Sequence, residues 1–448
     1  MLKSTIENAL QNQFQKHRIV FWYDVNEDMR KDFETLNMPG VEKIYIQNNQ
    51  YGVKYRILRE EPDKKFLLYH KGPPPKPIHN WLLDVQLAHG LFKGEKLYLL
   101  LSELELGPEY WETSKEHEPF FDAISRREGL QRLWTGKESN HGFRLKMIAA
   151  CAGVTFYDHF DRILENLLRE ESQGKDNAMR DIERCGLAPY LWEEMANRYG
   201  YTSKKADIRD FALKLFQTSY RLGFDEAAPL STSAAAFMNR WKDSLQHQES
   251  FETLSEEYAE LLEIREDLQN RSAQDLVNLD YFRVIDKKIL SDLVHQIAEK
   301  TISSADCEKL IWQRRGTHWY TEFEDIYQVI KFGTRFLSVL EKTDLTIKSL
   351  DDGFHKYTQT WYELDRYYRK CIYHAQASKQ VSLLEDLLNE VENHYSNTFL
   401  LEVNDQWQQF VDGSNVWSIP NQITQEDFFD VYVEERFLRE NKKIVVII

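Results

Sequence analysis

Over the first 108 residues the apolar positions switch between two periods. Leu2, Ile6, Leu10 and Phe14 recur at helical spacing, and a continuous apolar run at 18–23 follows them. Short apolar runs bounded by polar turns are typical of buried strands. The pattern predicts strands at 18–23, 42–47, 64–69 and 95–101, with helices at 24–36, 49–59 and 80–89 between them. Strands that alternate with helices at this spacing pair in parallel, so we predict a small parallel sheet.

From residue 109 to 412 the strand signal nearly disappears. Apolar residues recur there at intervals of three and four, which is typical of amphipathic helices. The predicted helices are 118–134, 142–152, 157–171, 175–184, 188–199, 204–221, 231–246, 250–270, 277–300, 305–340, 344–377 and 381–410. The predicted fold class is therefore mainly α with a small N-terminal α/β domain, a parallel-sheet head followed by a long helical body.

The last two of these helices carry apolar stripes. The stripe on 344–377 consists of Tyr357, Trp361, Leu364, Tyr368 and Ile372, and 381–410 repeats the spacing with Leu387, Val391, His394 or Tyr395, and Phe399. Facing stripes on consecutive long helices predict an antiparallel pair. We interpret both stripes as core, and Cys371 beside the first as a core thiol.

The last residues of the chain have the pattern of a fully buried strand. The run Lys-Lys-Ile-Val-Val-Ile-Ile occupies 442–448, after a polar linker at 413–422 and a predicted helix at 424–440. Such a strand lies inside an α/β sheet, and the chemistry of these folds lies in the loop after the strand. We therefore expect three parts: the head 1–108, an all-helical body 109–412, and 413–448 as linker, helix and first strand of a further domain.

The composition narrows the class of protein. Of 448 residues, 42% are hydrophobic and 13% aromatic, which is too many for a disordered chain. The four cysteines lie far apart without the spacing of a zinc site, and no apolar run approaches the roughly 18 residues of a membrane span. The first residues form an amphipathic pattern rather than a signal peptide. We expect a cytoplasmic protein with free thiols.

The formal net charge of −16 is unevenly distributed. Residues 1–108 carry 15 Lys and Arg against 14 Asp and Glu, whereas the remaining residues carry 42 against 59. Affinity for nucleic acid rises with the number of phosphates that the protein neutralises, so the helical body as a whole should repel a phosphate backbone. The chain also has no Walker A loop, HExxH motif or nucleophile elbow.

Several segments, taken in order, follow one known pattern. They are Phe-Trp-Tyr-Asp at 21–24, the basic-aromatic run 54–69, Asn-Trp-Leu-Leu-Asp at 80–84 after a proline-rich elbow, the aromatic segment 427–433, and the apolar run 443–448. In this order they closely resemble the N-terminal region of PglZ proteins, which occur in BREX phage-defence systems. The resemblance covers both ends of the chain well and is weaker in the helical middle.

The resemblance implies a function for the chain. In PglZ proteins the terminal strand leads into an alkaline-phosphatase-superfamily domain, whose divalent metal, expected to be zinc, would be held by residues beyond Ile448. The full-length protein would then be a metal-dependent phosphoesterase or nuclease, and this chain its non-catalytic scaffold and docking region, with no catalytic, cofactor or metal residues of its own. The implied partner is another BREX component, such as a BrxB-type protein, and DNA would bind only to the full assembly.

A second hypothesis places a ligand or metal site at Asp24, in the manner of a receiver domain. Asp24 ends a predicted strand at the carboxyl edge of a parallel sheet, where ligands often bind. The alternative is structural, because Asp24-Val25-Asn26-Glu27 has the form of a helix-capping box.

A third hypothesis is a DNA-sensing module in the basic segment 54–76. It contains seven cations, Lys54, Arg56, Arg59, Lys64, Lys65, Lys71 and Lys76, with tyrosines between them. Cations alternating with stacking rings are typical of single-strand grooves. The alternative is an exposed helix face whose charge is neutralised by Glu60, Glu61 and Asp63.

The head is the predicted docking surface, because it is charge-balanced and rich in aromatic residues. A stiff proline-rich elbow flanked by tryptophan loses little entropy on binding. The interface candidates are Trp22, Tyr55, Arg56, Tyr69, Pro74, His79 and Trp81. The alternative for the elbow is a simple connection between two elements.

Overall fold

The computed structural model of the chain describes residues 2–414 except 26, 28, 94, 95 and 380, together with 419, 423 and 425–438. The predicted terminal strand at 442–448 and most of the predicted linker lie outside the described residues. The mainly α fold class with a parallel-sheet head is confirmed.

Four parallel strands form the sheet of the head. They are β1 (Ile19–Asp24), β2 (Val41–Ile46), β3 (Lys65–Lys71) and β4 (Gly90–Lys93). Their order is β2-β3-β1-β4, and β1 pairs with both β3 and β4. The predicted parallel pairing is confirmed. Every residue of β1 is buried, since a central parallel strand is covered on both faces.

Helices cover both faces of this sheet. They are α1 (Leu2–Lys16), α2 (Arg30–Thr35), α3 (Gln50–Tyr55), which continues as a π-helical turn (Arg56–Glu60), α4 (Leu83–Ala88) and α5 (Lys96–Glu103). Side chains of α1, α2 and α5 pack with Trp22 and Tyr69 on one face, and those of α3 and α4 pack with Phe21 and Leu68 on the other. The connection from β1 to β2 runs one way along the sheet and crosses one face. The connections from β2 to β3 and from β3 to β4 run the other way and cross the opposite face, so all three crossovers have the same handedness.

The predicted strand at 95–101 is wrong, because Lys96–Glu103 forms α5. A continuous apolar run fits a buried strand and a buried helix equally well, since periodicity does not distinguish them. The fourth strand instead comes earlier, at Gly90–Lys93, where it pairs with β1 between Val20 and Tyr23.

The predicted capping box at 24–27 is also wrong. Asp24 still pairs with Lys71 in the sheet. Glu27 has a left-handed backbone with φ of 61° and forms an ion pair with Lys71 at 2.7 Å, rather than reaching back to Asp24. Helix α2 begins only at Arg30, so Asp24 does not stand at its N-terminus.

The chain divides into two compact units, one of 1–219 with 227–254 and one of 220–226 with 255–448. The three-part division predicted at 108 and 412 stays a prediction. After the sheet, the first unit is helical, as predicted from the spacing. Its helices are α6 (Trp111–Glu116), α7 (Ile124–Leu133), α8 (Asn140–Cys151), α9 (Asp161–Ser172), α10 (Asn177–Arg184), α11 (Ala188–Tyr199) and α13 (Thr232–Lys242), while α12 (Ile208–Leu222) and α14 (Gln248–Leu261) run across the boundary.

Over the described residues of the second unit, every regular element is a helix. Its helices are α15 (Ile264–Leu268), α16 (Ala273–Leu276), α17 (Arg283–Ala298), α18 (Ser304–Arg314), α19 (Tyr320–Lys342), α20 (Leu350–Lys356), α21 (Tyr362–Ser378), α22 (Val381–His394) and α23 (Leu401–Asp412), with π-helical segments at Tyr357–Trp361, Tyr395–Leu400 and Phe429–Leu438. The predicted helices 250–270 and 305–340 are each divided in two, and the predicted helix 277–300 begins only at Arg283. No described helix combines the length and apolar character needed to cross a membrane.

The apolar stripe of the segment 344–377 lies in a different register from the predicted one. Trp361 and Leu364 are buried as expected, but the buried positions after them are Tyr367 and Cys371 rather than Tyr368 and Ile372. Tyr357, the first residue of the predicted stripe, is 40% exposed, because the π-helical turn at Tyr357–Trp361 closes hydrogen bonds over five residues instead of four and moves Tyr357 out of line with Trp361.

The predicted core role of Cys371 and of the second stripe is confirmed. Cys371 is fully buried, and so are Leu387, Val391 and Phe399. Tyr368 stacks on Tyr395 with ring centroids 3.6 Å apart, so the two segments face each other.

Candidate docking site

At the carboxyl edge of the sheet, the chain turns to one face after β1 and to the opposite face after the neighbouring strand β3. The chain leaves β1 toward α2 on one face and leaves β3 toward α4 on the other, which is where open α/β sheets bind ligands. Asp24 lies at this point and is 3% exposed. Its Oδ2 accepts hydrogen bonds from the Met29 backbone N–H at 2.9 Å and from the Tyr69 hydroxyl at 2.5 Å.

These bonds give Asp24 a structural role. Burial and the hydrogen bond to Asp24 raise the pKa of Tyr69, so this phenol remains a donor at neutral pH. Among the described residues, no three His, Cys, Asp or Glu side chains converge as metal ligands. The hydrogen bonds of Asp24 favour its structural role, and the receiver-like site stays a hypothesis.

We expect Asp24→Ala to lower the free energy of unfolding by about 1–3 kcal/mol, because the Tyr69 hydroxyl and the Met29 N–H lose a buried acceptor. Asp24→Asn keeps an acceptor and should cost less. Urea unfolding of both variants measures this difference. Calorimetric titration with Zn²⁺ and Mg²⁺ is the companion experiment. Micromolar binding that Asp24→Ala abolishes without loss of stability would support the receiver-like hypothesis instead.

Most cations of the basic segment 54–76 are paired with a carboxylate or a carbonyl oxygen. Lys54 binds Asp84 at 2.7 Å, Lys64 binds Glu61 at 2.6 Å, and Lys71 binds Glu27. In addition, Arg56 lies between Glu42 and Glu61, and Lys65 donates to the Phe14 carbonyl oxygen. This pairing lowers the charge available to a phosphate backbone and favours the alternative of an exposed, neutralised face.

Two of the seven interface candidates lie in the core. Trp22 is fully buried against Phe33, Tyr69 and Phe92, and Tyr69 is 1% exposed. Both side chains point from the sheet toward α1 and α2, so they cannot contact a partner of the folded head. This corrects the sequence-based expectation, which treated the tryptophan of a central strand as a surface residue.

The other five candidates are partly or fully accessible. Tyr55, Pro74, His79 and Trp81 are exposed, and Arg56 is half-buried. As interface residues they stay a prediction.

The structure groups three of these candidates with two exposed side chains that the sequence analysis did not single out. This aromatic face consists of Tyr51, Tyr55, Ile78, His79 and Trp81, of which Ile78 is 85% and Tyr51 76% exposed. A cavity of about 370 Å³ opens between α3 and the elbow, lined by Gln47, Asn48, Gln50, Tyr51, His79 and Trp81. Large exposed apolar side chains around a cavity are typical of protein interaction sites.

Hydrogen bonds hold the segment that follows the proline-rich elbow (residues 72–77) against α3. The Trp81 backbone N–H donates to Gln50 Oε1 at 2.9 Å, and Lys54 Nζ donates to the Trp81 carbonyl oxygen at 3.1 Å. These bonds fix the backbone beneath the exposed Trp81 ring, so little conformational entropy is left to lose on binding.

A second network anchors the same segment to the sheet. Gln86 Oε1 accepts hydrogen bonds from the Tyr23 hydroxyl at 2.9 Å and from the Asn80 amide at 2.8 Å, while Asn80 Oδ1 accepts from the Leu82 N–H. Burial raises the pKa of Tyr23 to about 12, so this donor stays protonated. The segment 80–82 that follows the elbow is therefore a fixed part of the head.

The sequence contained a signal for each of the two residues that the sequence analysis missed, Tyr51 and Ile78. Tyr51 and Tyr55 are four positions apart on one helix, and therefore share a face. Ile78 lies between a proline and His79, in a polar context where a buried isoleucine is unexpected. Neither signal showed that the elbow and α3 meet, because that contact depends on the strand order.

Comparison with known proteins finds two relatives of the chain. It is 27% identical to the alkaline phosphatase-like protein BrxZ of Escherichia coli O9:H4 (strain HS) over 479 aligned positions, which cover 98% of this chain and 54% of that protein. It is 22% identical to the alkaline phosphatase-like protein PglZ of Bacillus cereus (strain H3081.97) over 468 positions, which cover 100% of this chain and 54% of that protein. The chain is homologous to both and spans about half their length. No protein-family model and no solved structure matches it.

Proposed function

We propose that this chain is the non-catalytic scaffold and docking region of a PglZ-like BREX phage-defence protein, placed at the N-terminal side of its phosphatase-like part. The homology along almost the whole chain to two alkaline phosphatase-like proteins supports a BREX-related role. The chain spans only about half of each relative, which leaves room for a separate catalytic part. The divalent metal, expected to be zinc, would belong to that part.

The aromatic face is the observation that carries the docking role. It offers aromatic anchors, a cavity between them and a backbone that hydrogen bonds hold in place. Interfaces depend on a few such anchors, usually aromatic, seated in pockets. We propose that its partner is a BrxB-type protein of the same defence system, which would insert an apolar side chain between Tyr51 and Trp81.

We expect the double variant Tyr51→Ala/Trp81→Ala to weaken binding of the BrxB-type protein at least about 30-fold, because truncating a central anchor typically costs about 2 kcal/mol. Biolayer interferometry with the whole 448-residue chain measures the dissociation constant. Truncating exposed aromatic side chains does not by itself threaten the fold.

The matched control is Phe156→Ala, which removes another exposed aromatic ring of the same unit outside the aromatic face. This variant should bind the partner as tightly as the unmodified chain. Equal affinity of the double variant and the unmodified chain would rule out the aromatic face as the docking site.

A further inference from the structure

One face of the second unit carries a cluster of cations and rings, although the chain as a whole is strongly acidic. Helices α18, α19 and α21 lie side by side there. We call this the cationic face, and its cations are Arg315, Lys331, Arg335, Arg366 and Lys370, with the rings Trp312, Phe332, Tyr362, Tyr367 and Tyr373.

Contacts between cations and rings connect α19 to α21. The Arg335 guanidinium lies 5.4 Å from the ring centre of Tyr367, and Arg366 lies 5.3 Å from the same centre. Lys331 and Lys370 lie 5.4 Å and 5.0 Å from the centre of Phe332. The two helices therefore present their positive charges together.

Helix α18 extends the face on the other side of α19. Glu308 of α18 binds Arg335 at 2.8 Å, and Trp312 and Arg315 follow Glu308 at intervals of four and three, on the same side of the helix. Burial, and then the positive charges of Arg315, Arg335 and Lys370, lower the pKa of Lys331, against the opposing effect of Glu308. Lys331 is thus surrounded mainly by like charge.

The carboxylates of this face neutralise only part of it. Glu308 binds Arg335, Glu363 binds Arg366 at 2.9 Å, and Asp325 binds His374 at 2.8 Å. Among the described residues no ion pair forms at the remaining cations, Arg315, Lys331 and Lys370. Three positive charges therefore remain open to an anion.

Two exposed rings flank these charges. Trp312 is 70% exposed and Tyr373 is 66% exposed. Along α21 alone, the face extends from Tyr362 to Tyr373, about 16 Å at the helical rise per residue. Flat rings beside open cations fit a single-stranded nucleic acid, whose bases stack while its phosphates pair with the cations. An acidic peptide or an anionic membrane would use the charge but not the rings.

We propose that the cationic face is a binding site for single-stranded nucleic acid. It binds the backbone phosphates and stacks on the bases, without sequence preference. It is independent of the docking role of the aromatic face, which lies on the other unit. The basic segment 54–76 takes no part in it.

The test uses fluorescence anisotropy of a labelled oligodeoxythymidine with the whole chain. Three phosphate contacts predict a log–log salt slope of about −2, so affinity should fall about 15-fold between about 50 and 200 mM salt. Lys331→Gln/Lys370→Gln should weaken binding about tenfold at low salt and reduce the slope to about −0.7. Tyr373→Ala should weaken it about fivefold through lost stacking.

The control variant Lys287→Gln/Lys348→Gln makes the same change in net charge at two other exposed lysines of the unit, and should bind like the unmodified chain. Polyglutamate and vesicles containing anionic lipid form the competing arms. The proposal is overturned if the control variant loses as much affinity as Lys331→Gln/Lys370→Gln. It is also overturned if Tyr373→Ala has no effect while polyglutamate or the vesicles compete fully.

Discussion

Arg314→Met should destabilise the second unit by about 3–5 kcal/mol, because it leaves a buried carboxylate without its cation. Arg314 and Asp286 are both 0% exposed, and the guanidinium binds the carboxylate at 2.5 Å and 3.2 Å. Burial raises the pKa of Asp286 even with Arg314 beside it, so the charged form depends on this pair. Arg314 also donates to the carbonyl oxygens of Val277 and Leu279.

The midpoint of urea unfolding measures this effect. Arg283→Met is the matched control, since Arg283 pairs with Glu256 and Glu322 near the surface, where an ion pair contributes at most about 1 kcal/mol. Combining Arg314→Met with Asp286→Asn removes the unpaired charge and should recover part of the loss. Equal midpoints for the Arg314 and Arg283 variants would show that the buried pair does not stabilise this unit.

Trp22→Ala should cost about 3–5 kcal/mol of stability, because it opens a cavity in the core of the head. The indole contacts Phe92 at a centroid distance of 4.9 Å, Tyr69 at 5.7 Å and Phe33 at 5.9 Å. Replacing it removes contacts with side chains from both the sheet and α2. Urea unfolding followed by far-ultraviolet circular dichroism measures the loss.

Trp81→Ala is the natural control for this variant. Trp81 is 67% exposed, and an exposed side chain usually changes stability by no more than about 0.5 kcal/mol. The two variants therefore distinguish a tryptophan of the core, whose loss lowers stability, from an exposed tryptophan of the aromatic face. Unchanged stability of Trp22→Ala together with lost partner binding would mean that Trp22 is a surface residue after all.

The sequence predicted the sheet well where strand and helix patterns alternate. The runs at 18–23, 42–47 and 64–69 correspond closely to β1, β2 and β3, and parallel pairing follows from the helices between them. The fourth strand was missed because Gly90 begins a run of only four residues, which resembles a loop. The leucine-rich run after it was read as a strand because a short apolar run has no period that excludes one.

Helix registers and helix breaks depended on features that spacing does not reveal. The π-helical turn at Tyr357–Trp361 left Tyr357 exposed, outside the buried stripe that continues with Trp361 and Leu364. The division between α18 and α19 coincides with Arg314, whose buried side chain reaches back to Asp286. Contacts between residues distant in sequence decide such details.

The candidate sites also depended on contacts that the spacing of residues does not reveal. Trp22 was misplaced although its own strand reads as buried, since a central parallel strand leaves no side chain on the surface. The aromatic face was only partly predicted, because Tyr51 and Ile78 join Trp81 through the folding of the elbow onto α3. The cationic face was missed because the acidic total of the helical body concealed a local cluster.

Hydrogen–deuterium exchange of the whole chain, with and without the BrxB-type protein, tests the docking role most directly. The proposed role requires slower exchange on complex formation at 47–55 and 77–84, the two segments that form the aromatic face. A stable complex whose protection lies only within 255–414, with unchanged exchange in both segments of the head, would contradict it.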